Sequence, residues 1–176
     1  MAMNHKYLFL LVVLIFFCAS CSKYEEEISY SEEKYVPILM KYDEMTESVK
    51  QMPVRSITNP GKITVFQDYI LIVEKFKGFH VINNSNPASP LNVAFFSIPG
   101  CVDVAVKNNI LFADNAIDLV AINISDKNNM YPVYRIPDVF PELLPPDSDY
   151  ISHWFTSENR PENTVIVGWR LKDEAI

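Results

Sequence analysis

A pattern of apolar and turn-forming residues occurs twice in this chain, forty positions apart. The segment ILIVEKFKGFHVINNSNPASP (70–90) is followed by ILFADNAIDLVAINISDKNNM (110–130). Each copy holds two apolar runs of strand length and ends in a cluster of residues that favour turns. A period near forty without a helical segment predicts small β-sheets that bury their apolar faces against one another.

Four strands are predicted in each repeat unit. In the first unit they cover 63–66, 69–74, 79–83 and 92–97, and in the second they are the runs VDVAV, NILFAD, LVAINI and YPVYRI between 102 and 136. A constant offset of forty aligns Ile70 with Ile110, Glu74 with Asp114 and Asn83 with Asn123. Four-stranded units at this period are typical of β-propeller blades.

The whole chain is therefore predicted to be all-β, with repeated four-stranded antiparallel blades forming a partial β-propeller. A signal peptide and a short helix precede the blades. The predicted segments are a signal peptide (1–20), an acidic tether (21–36), a short helix and linker (37–60), a first blade (61–99), a second blade (100–137), and an inserted loop with an incomplete third blade (138–176).

The amino terminus has the pattern of a secretory signal. Lys6 precedes an apolar run of eleven residues (7–17), which is too short to span a bilayer as a helix. Ala19, Ser20 and Cys21 resemble the end of a bacterial lipoprotein signal. That resemblance implies cleavage before Cys21, diacylglyceryl on its thiol and a further acyl chain, such as palmitate, on the new amino group. The alternative is an ordinary signal peptide with a chance cysteine.

The sequence SKYEEE (22–27) follows this cysteine directly. It resembles the export signals that carry lipoproteins of Bacteroidetes-type bacteria to the outer face of the outer membrane. Acidic runs also stay extended in water, so a solvated tether is compatible with the same residues. We expect an outer-membrane, lipid-anchored and surface-exposed protein, with a periplasm-facing anchor as the alternative.

Charge and cysteine content narrow the classes of function. The formal net charge of −7 and the lack of a basic stripe argue against a nucleic-acid partner. Once Cys18 is removed and Cys21 is acylated, Cys101 is left alone. We expect it to be a small buried hydrophobe in a strand, with an intermolecular disulfide as the alternative.

Residues on either side of the repeats are predicted to be less regular. Ile38, Tyr42, Met45 and Val49 have helical spacing, which predicts a short helix over 37–49. Residues 138–154 contain three prolines and predict an inserted loop. A strand restarts at 163–172, and we expect its free edge to require further blades or another chain.

The repeats resemble those of the LVIVD-repeat lipoproteins of Bacteroidetes. ILFAD (110–114) and GFHVINNSNPASP (78–90) match the two halves of that repeat, with Asn83 in place of the usual Asp. The resemblance covers about 45–126 well and 163–169 weakly. It implies a propeller-like fold on a lipid anchor, and it implies that the chain is the amino-terminal portion of a longer protein.

Few residues form a pattern typical of a binding or catalytic site. In the inserted loop, Asp147, Asp149, His153 and Trp154 are a candidate binding group for a sugar ring or a cation, although ordinary loop packing is the simpler interpretation. No metal-ligand spacing, cofactor motif or nucleophile motif accompanies them. His80 is interpreted as a sheet residue.

A second pair of carboxylates is given a structural interpretation. Asp103 and Asp114 occur at strand ends, where a carboxylate can accept hydrogen bonds from turn N–H groups.

These observations favour a non-catalytic binding or assembly module at the cell surface. Its partners would be the membrane, through Cys21, and an unknown protein or glycan. One alternative is a glycan-active hydrolase or lyase whose catalytic residues lie in blades that this chain lacks. Another is a truncated gene product.

Overall fold

The computed structural model describes residues 33–173, and these form antiparallel β-sheets. The fold is all-β, as predicted. Residues 1–32, which include the predicted signal peptide, Cys21 and most of the tether, lie outside the described residues. No helix in the range 33–173 is long and apolar enough to cross a membrane.

Eleven strands, one α-helix and one turn of 3₁₀-helix make up the described range. The strands are β1 (Tyr35–Lys41), β2 (Lys50–Met52), β3 (Pro60–Phe66), β4 (Tyr69–Glu74), β5 (Gly78–Asn83), β6 (Leu91–Ser97), β7 (Val104–Lys107), β8 (Ile110–Asn115), β9 (Asp118–Asn123), β10 (Tyr131–Ile136) and β11 (Thr164–Leu171). Helix α1 covers Tyr42–Glu47, and the 3₁₀ turn covers His153–Phe155.

The strands form three sheets. The first sheet has the order β2-β6-β5-β4-β3, the second has the order β10-β9-β8-β7, and the third pairs β1 with β11. β3 to β6 and β7 to β10 each form an antiparallel meander, so the two predicted repeat units are two successive sheets. The short apolar runs between turn-forming residues located these strands, whether a strand is buried on both faces, as β5 is, or largely exposed, as β10 is.

The first sheet has a fifth strand that the sequence did not predict. β2 pairs with β6 through Lys50↔Ser97, Gln51↔Phe96 and Met52↔Phe95. Three residues are too few to show a period of two, and two of the three are exposed, so the segment has no strand signal of its own.

The prediction of a helix over 37–49 was wrong for its first half. The helix begins at Tyr42, whereas residues 35–41 form β1, so Tyr35 and Val36 belong to a strand rather than to the tether. β1 pairs along its full length with β11. These long-range backbone hydrogen bonds decide the conformation, because a helix of this length is marginal in water. β11 therefore has β1 on one edge, and within residues 33–173 its other edge has no partner strand.

The number of residues that separates equivalent positions in the two sheets is not the same for every strand. Tyr69 pairs with Asn83 in the first sheet, and Ile110 pairs with Asn123 in the second, so β8 is displaced by 41 residues from β4 while β9 is displaced by 40 from β5. The cause is the β8–β9 turn, which is one residue shorter than the β4–β5 turn. Glu74 therefore corresponds by register to Asn115, and the predicted pairing of Glu74 with Asp114 was wrong.

The turns between the third and fourth strands of each unit repeat in atomic detail. The side-chain oxygen of Asn83 accepts the N–H of Ser85, and that of Asn123 accepts the N–H of Ser125, both at 2.9 Å. Three residues further along each turn, the side-chain oxygens of Asn86 and Asp126 accept the N–H groups of Ala88 and Asn128. Side chains that mimic a backbone acceptor explain why these polar residues recur at the offset of forty.

The first and second sheets bury one shared core, and they stack front to back. We define the front of the first sheet by Leu71, Val73, Phe79, Val81, Ala94 and Phe96, and its back by Ile63, Val65, Ile70, Ile72, His80 and Phe95. By register, the front of the second sheet consists of Phe112, Asp114, Leu119, Ala121, Tyr134 and Ile136, and its back of Val104, Val106, Leu111, Ala113, Val120 and Ile122. The shared core contains the front of the first sheet and the back of the second. Equivalent residues therefore face the same direction in both sheets.

Polar contacts fix the position of one sheet on the other. The amide of Gln51 in the first sheet donates to the carbonyl of Lys127 and accepts the N–H of Met130 in the second unit. The Lys127 ammonium lies 5.0 Å from the ring centroid of Tyr69. Contact between the two units thus extends from the apolar core to the turns at the end of the sheets.

The third sheet packs on the β8–β9 turn. A second core contains Met45 of α1, Ala116 of the turn, and Val165 and Val167 of β11. Tyr42 also joins this region to the second sheet, because its hydroxyl donates a hydrogen bond of 2.8 Å to Asp118. The chain between β10 and β11 is consequently anchored at both ends.

Candidate functional site

The connection between β10 and β11 contains the predicted binding loop. The N–H groups of Val139 and Phe140 both donate to the carbonyl of Ile117, at 2.8 and 2.9 Å. Further along, the indole N–H of Trp169 donates to the carbonyl of Leu143 at 2.9 Å. The start of the loop is therefore fixed to the β8–β9 turn and to β11.

The second half of the loop is also held by specific contacts. Arg160 forms an ion pair with Glu142, and the ring of Phe155 packs edge-on against Trp169 at 6.0 Å between centroids. A loop tied down in this way presents its exposed side chains in a defined arrangement, which lowers the entropy cost of binding a partner.

The four predicted site residues are all exposed, and they fall into two groups. Asp147 and Asp149 lie in a shallow depression of about 690 Å³ formed by residues 144–150. His153 and Trp154 lie in the 3₁₀ turn, with ring centroids 5.9 Å apart. Within residues 33–173, no hydrogen bond or ion pair joins either aspartate to His153.

An aromatic residue that the prediction omitted belongs to the same surface. Tyr150 lines the depression beside Asp149, and its side chain is 71% exposed, while that of Trp154 is 62% exposed. The signal in the sequence was the tyrosine itself, which follows a run of prolines and aspartates. Two large rings that remain exposed on an anchored loop are able to contact a ligand.

A deeper groove separates this loop from the front of the second sheet. Its volume is about 520 Å³, and its walls are largely apolar. The lining comes from 102–105, from 112–114 of β8, from Ala116 and Leu119, and from 140–144. The sequence predicted the loop but not its position over β7 and β8, because that position depends on tertiary contacts with Ile117 and Trp169.

Asp114 and Asp103 have different structural roles. The carboxylate of Asp114 accepts the N–H groups of Val102 and Asp103 at 2.8–3.0 Å, as the sequence predicted. Burial raises the pKa of Asp114, and these N–H groups oppose the rise. The Asp103 side chain is exposed and forms an ion pair of 2.6 Å with Lys62. Asp103 therefore donates to Asp114 through its backbone rather than acting as a second turn acceptor.

A buried polar network on the back of the first sheet was not predicted. The carboxylate of Glu74 accepts the N–H groups of Thr58 and Asn59 and the Thr58 hydroxyl, and it contacts His80 Nε2 at 3.3 Å. The Asn92 amide donates to His80 Nδ1 at 3.3 Å. Burial alone would raise the pKa of Glu74, but these donors outweigh it and hold the pKa at about 2.

His80 is confirmed as a sheet histidine, and it is fully buried. Burial lowers its pKa, although the Glu74 carboxylate opposes that change. The Arg55 guanidinium lies 4.7 Å from the ring centroid of Phe95, which packs against the imidazole at 4.8 Å. Residues 74 and 80 are adjacent only because β4 and β5 pair, so a search for local motifs does not find them.

Asp118 is a third buried carboxylate, and it joins the second sheet to helix α1. It accepts the Tyr42 hydroxyl, forms an ion pair of 2.6 Å with Arg135, and accepts the N–H of Asp138. Its side chain is fully buried. These contacts place the start of the inserted loop, so the role of Asp118 is to position residues 138–144.

Cys101 is buried, as predicted, but it lies in the turn before β7 rather than in the strand. Burial and the neighbouring Asp114 carboxylate raise the pKa of its thiol well above the usual value. In residues 33–173, no group of three or more His, Cys, Asp or Glu side chains has a geometry that could hold a metal ion.

Comparisons with known protein families, with curated proteins and with solved structures found no match to this chain. The resemblance to the LVIVD-repeat lipoproteins therefore remains a prediction from the sequence.

Proposed function

We propose that this protein is a non-catalytic binding and assembly module whose stacked sheets are successive blades of propeller type. A lipid anchor at Cys21 holds the module at the outer face of the outer membrane, and the LVIVD-repeat lipoproteins are the family we propose for it. The front-to-back stacking supports the blade interpretation. Two sheets related by a face-to-face arrangement would instead place equivalent residues in the same core.

The observation that carries the binding role is the exposure of Tyr150 and Trp154 on an anchored loop. Aromatic rings with a polar edge can pack against the C–H groups of a sugar ring or against a protein side chain while they donate hydrogen bonds. Asp147 and Asp149 line the depression beside Tyr150 and supply acceptors for hydroxyl groups. A glycan or a protein surface fits this chemistry.

The buried carboxylates support a structural role rather than an acid–base role. Glu74, Asp114 and Asp118 each accept at least one backbone N–H from a neighbouring segment. Such bonds satisfy charges that would otherwise be costly to bury. Each carboxylate thereby fixes one connecting segment of the fold.

Metabolic labelling tests the anchor. Cells that express the full chain are grown with a clickable fatty acid, and we expect label on the wild type and on Cys101→Ser but not on Cys21→Ser. Protease added to intact cells should remove the labelled protein. Label that survives in Cys21→Ser would refute the anchor, and protection from protease would refute the surface location.

A binding screen tests the loop. The full chain is tested against a panel of bacterial and host polysaccharides and against surface-protein fractions. Trp154→Ala and Tyr150→Ala should weaken any ligand found, whereas Tyr131→Ala, an exposed aromatic outside the loop, should not. A ligand that binds all three variants equally would refute the loop as the binding site.

A further inference from the structure

The segment between β2 and β3 lies against the back of the first sheet, and we call residues 53–59 the strap. Every residue of the strap is exposed, including the apolar Val54 and Ile57. The groups that it contacts are buried, since Glu74 is 0% and Phe95 is 2% exposed. The strap is therefore held in place by polar contacts and ring contacts rather than by a buried apolar side chain of its own.

Two sets of contacts hold the strap. At its carboxyl end, the Glu74 carboxylate accepts the N–H groups of Thr58 and Asn59 at 3.0 and 2.9 Å. In its first half, the carbonyl of Arg55 accepts a hydrogen bond of 3.0 Å from the side-chain amide of Asn92. The two halves of the strap thus depend on different partners.

His80 lies between these partners and connects them. Its Nε2 atom contacts the Glu74 carboxylate, and its Nδ1 atom accepts from the same Asn92 amide nitrogen that donates to Arg55. The Oδ1 atom of Asn92 is buried and has no hydrogen-bond partner in residues 33–173. A buried acceptor without a donor is costly, so the amide keeps this orientation only because two acceptors face its NH₂ group.

A proton on His80 Nδ1 removes the reason for that orientation. Nδ1–H is a donor, so it cannot accept from the Asn92 amide. Rotation of the amide turns Oδ1 toward Nδ1–H and pairs the oxygen that lacked a donor, but it takes the donor away from the Arg55 carbonyl. The contact between Nε2–H and Glu74 is unaffected. Protonation therefore weakens the first half of the strap and leaves the second half attached.

The charged groups around His80 act in the same direction. β4 contributes Glu74, the β4–β5 turn contributes Lys77 at 3.9 Å from Glu74, and the strap contributes Arg55, whereas β6 has no charged residue. The guanidinium and the imidazole both contact the Phe95 ring, so an imidazolium places a second cation beside Arg55. Burial lowers the pKa of His80, and acid therefore favours a state in which the ring is hydrated.

We propose that the strap is an acid-operated cover: protonation of His80 rotates the Asn92 amide and releases residues 53–57 from the back of the first sheet. Residues 58 and 59 remain bound to Glu74 and act as the hinge. Glu74 stays ionised in mild acid because these donors hold its pKa at about 2.

Release of the strap changes the surface of the first sheet. Phe95, His80, Ile72 and Ile63 form one row across the back of the sheet, and Ile63 is already 61% exposed. An open strap adds the Phe95 ring to this exposed surface. The back of the first sheet therefore becomes a larger apolar surface at acid pH than at neutral pH.

A nitroxide on the strap measures this movement in the full chain. Ser56→Cys, in a Cys101→Ser background, is labelled, and broadening of the Phe95 amide signal is measured by NMR in detergent micelles against the same sample with the nitroxide reduced. We expect strong broadening at about pH 7.5 and several-fold weaker broadening at about pH 5. Both values lie above the ordinary Glu74 pKa of 4.5, so the titration of His80 is separated from that of Glu74.

Two histidine variants form the matched pair. His80→Gln keeps a polar side chain without a titratable ring and should give the same broadening at both pH values. His153→Gln, which removes the exposed histidine of the inserted loop, should respond to pH as the wild type does. Asn92→Asp cannot donate to the Arg55 carbonyl, so it should show weak broadening already at about pH 7.5.

Three results would overturn the proposal. The first is equal wild-type broadening at the two pH values in a protein that melts cooperatively. The second is the wild-type loss of broadening in His80→Gln, because the proton would then act at another group. If His80→Gln does not melt cooperatively, Asn92→Asp decides the test, and strong broadening of that variant at about pH 7.5 is the third. The proposed function rests on the inserted loop and on Cys21, so it stands after any of these results.

Discussion

His80 Nε2 lies 3.3 Å from the carboxylate of Glu74, and both side chains are fully buried on the back of the first sheet. The Asn92 amide donates a hydrogen bond to His80 Nδ1, so the ring proton is on Nε2. Nε2–H therefore donates a hydrogen bond to the Glu74 carboxylate. This arrangement needs a neutral imidazole and an ionised carboxylate. Arg55, above Phe95, adds a positive charge that also opposes protonation of His80.

The pair makes stability sensitive to acid. Glu74 has a folded pKa of about 2 against an ordinary 4.5, so its contribution is present above pH 4.5 and is lost as the pH falls toward 2. At about 1.4 kcal/mol per pH unit, that contribution is roughly 3 kcal/mol. The pKa of His80 is below its ordinary 6.5, so protonation in the unfolded chain begins to reduce stability below that pH.

Denaturant unfolding at a series of pH values measures this effect. We expect the free energy of unfolding to decline from about pH 6.5 and to decline more steeply below about pH 4.5. Glu74→Gln should be less stable near neutral pH and should lack the steeper part, whereas Glu162→Gln, an exposed control, should keep it. A wild-type free energy that does not change between pH 7 and pH 3 would contradict the assigned network.

Asp114 and Asp103 provide a matched pair of carboxylates. Asp114→Asn removes the charged acceptor of two backbone N–H groups, and we expect a loss of about 1–3 kcal/mol in the free energy of unfolding. Asp103→Asn breaks only an exposed ion pair with Lys62, which is worth about 0–1 kcal/mol. Equal effects from the two substitutions would contradict the structural assignment.

Two glycines differ sharply in the space around them. Gly78 has a φ of +133°, and a Cβ placed there would lie 1.9 Å from the carbonyl oxygen of Phe96. Gly61 has no such constraint, since the nearest atom to its Cβ would be the flexible Lys75 side chain at 3.2 Å. Gly78→Ala should cost well over about 1 kcal/mol, and Gly61→Ala should change stability little. Thermal melts of the two variants distinguish these outcomes.

The reactivity of Cys101 reports on the shared core. The thiol is inaccessible and its pKa is raised, so the thiolate that attacks maleimide is scarce in the folded protein. We expect labelling at residue 101 only when denaturant unfolds the two sheets, with Cys101→Ser as the control for labelling elsewhere. Rapid labelling under native conditions would contradict close packing at the turn before β7.

The repeat units were predictable because each strand carries a local signal. Residues such as Leu71 and Val73 alternate with neighbours on the other face, and Asn83 and Asn123 end their strands in the same type of turn. The one-residue change in offset was not predictable, because it depends on the length of the β8–β9 turn. The acidic side chains of Glu74 and Asp114, forty residues apart, suggested an equivalence that the register does not support.

The candidate site was predictable in location but not in shape. The prolines between 138 and 154 indicated a loop, whereas its attachment to Ile117 and Trp169 depends on residues far apart in the sequence. The pairing of β1 with β11 also depends on residues far apart in the sequence, and the Glu74 carboxylate likewise accepts from Thr58 and Asn59 in a separate segment. Long-range pairing, rather than local propensity, decided these features.

The pairing of β1 with β11 leads to a final prediction. Met40 is paired with Val165, next to the end of this ladder at Lys41↔Thr164, and Met40 also packs against the second core. Met40→Pro removes a backbone donor and restricts φ, so we expect a loss of about 3 kcal/mol or more in the free energy of unfolding. Hydrogen exchange should become faster at Val165 and Val167, because β11 would lose its only neighbouring strand among residues 33–173. Ser56→Pro, in the exposed segment before β3, is the matched control and should leave exchange in β11 unchanged. Unchanged protection of β11 in Met40→Pro would show that this strand is held by the second core rather than by β1.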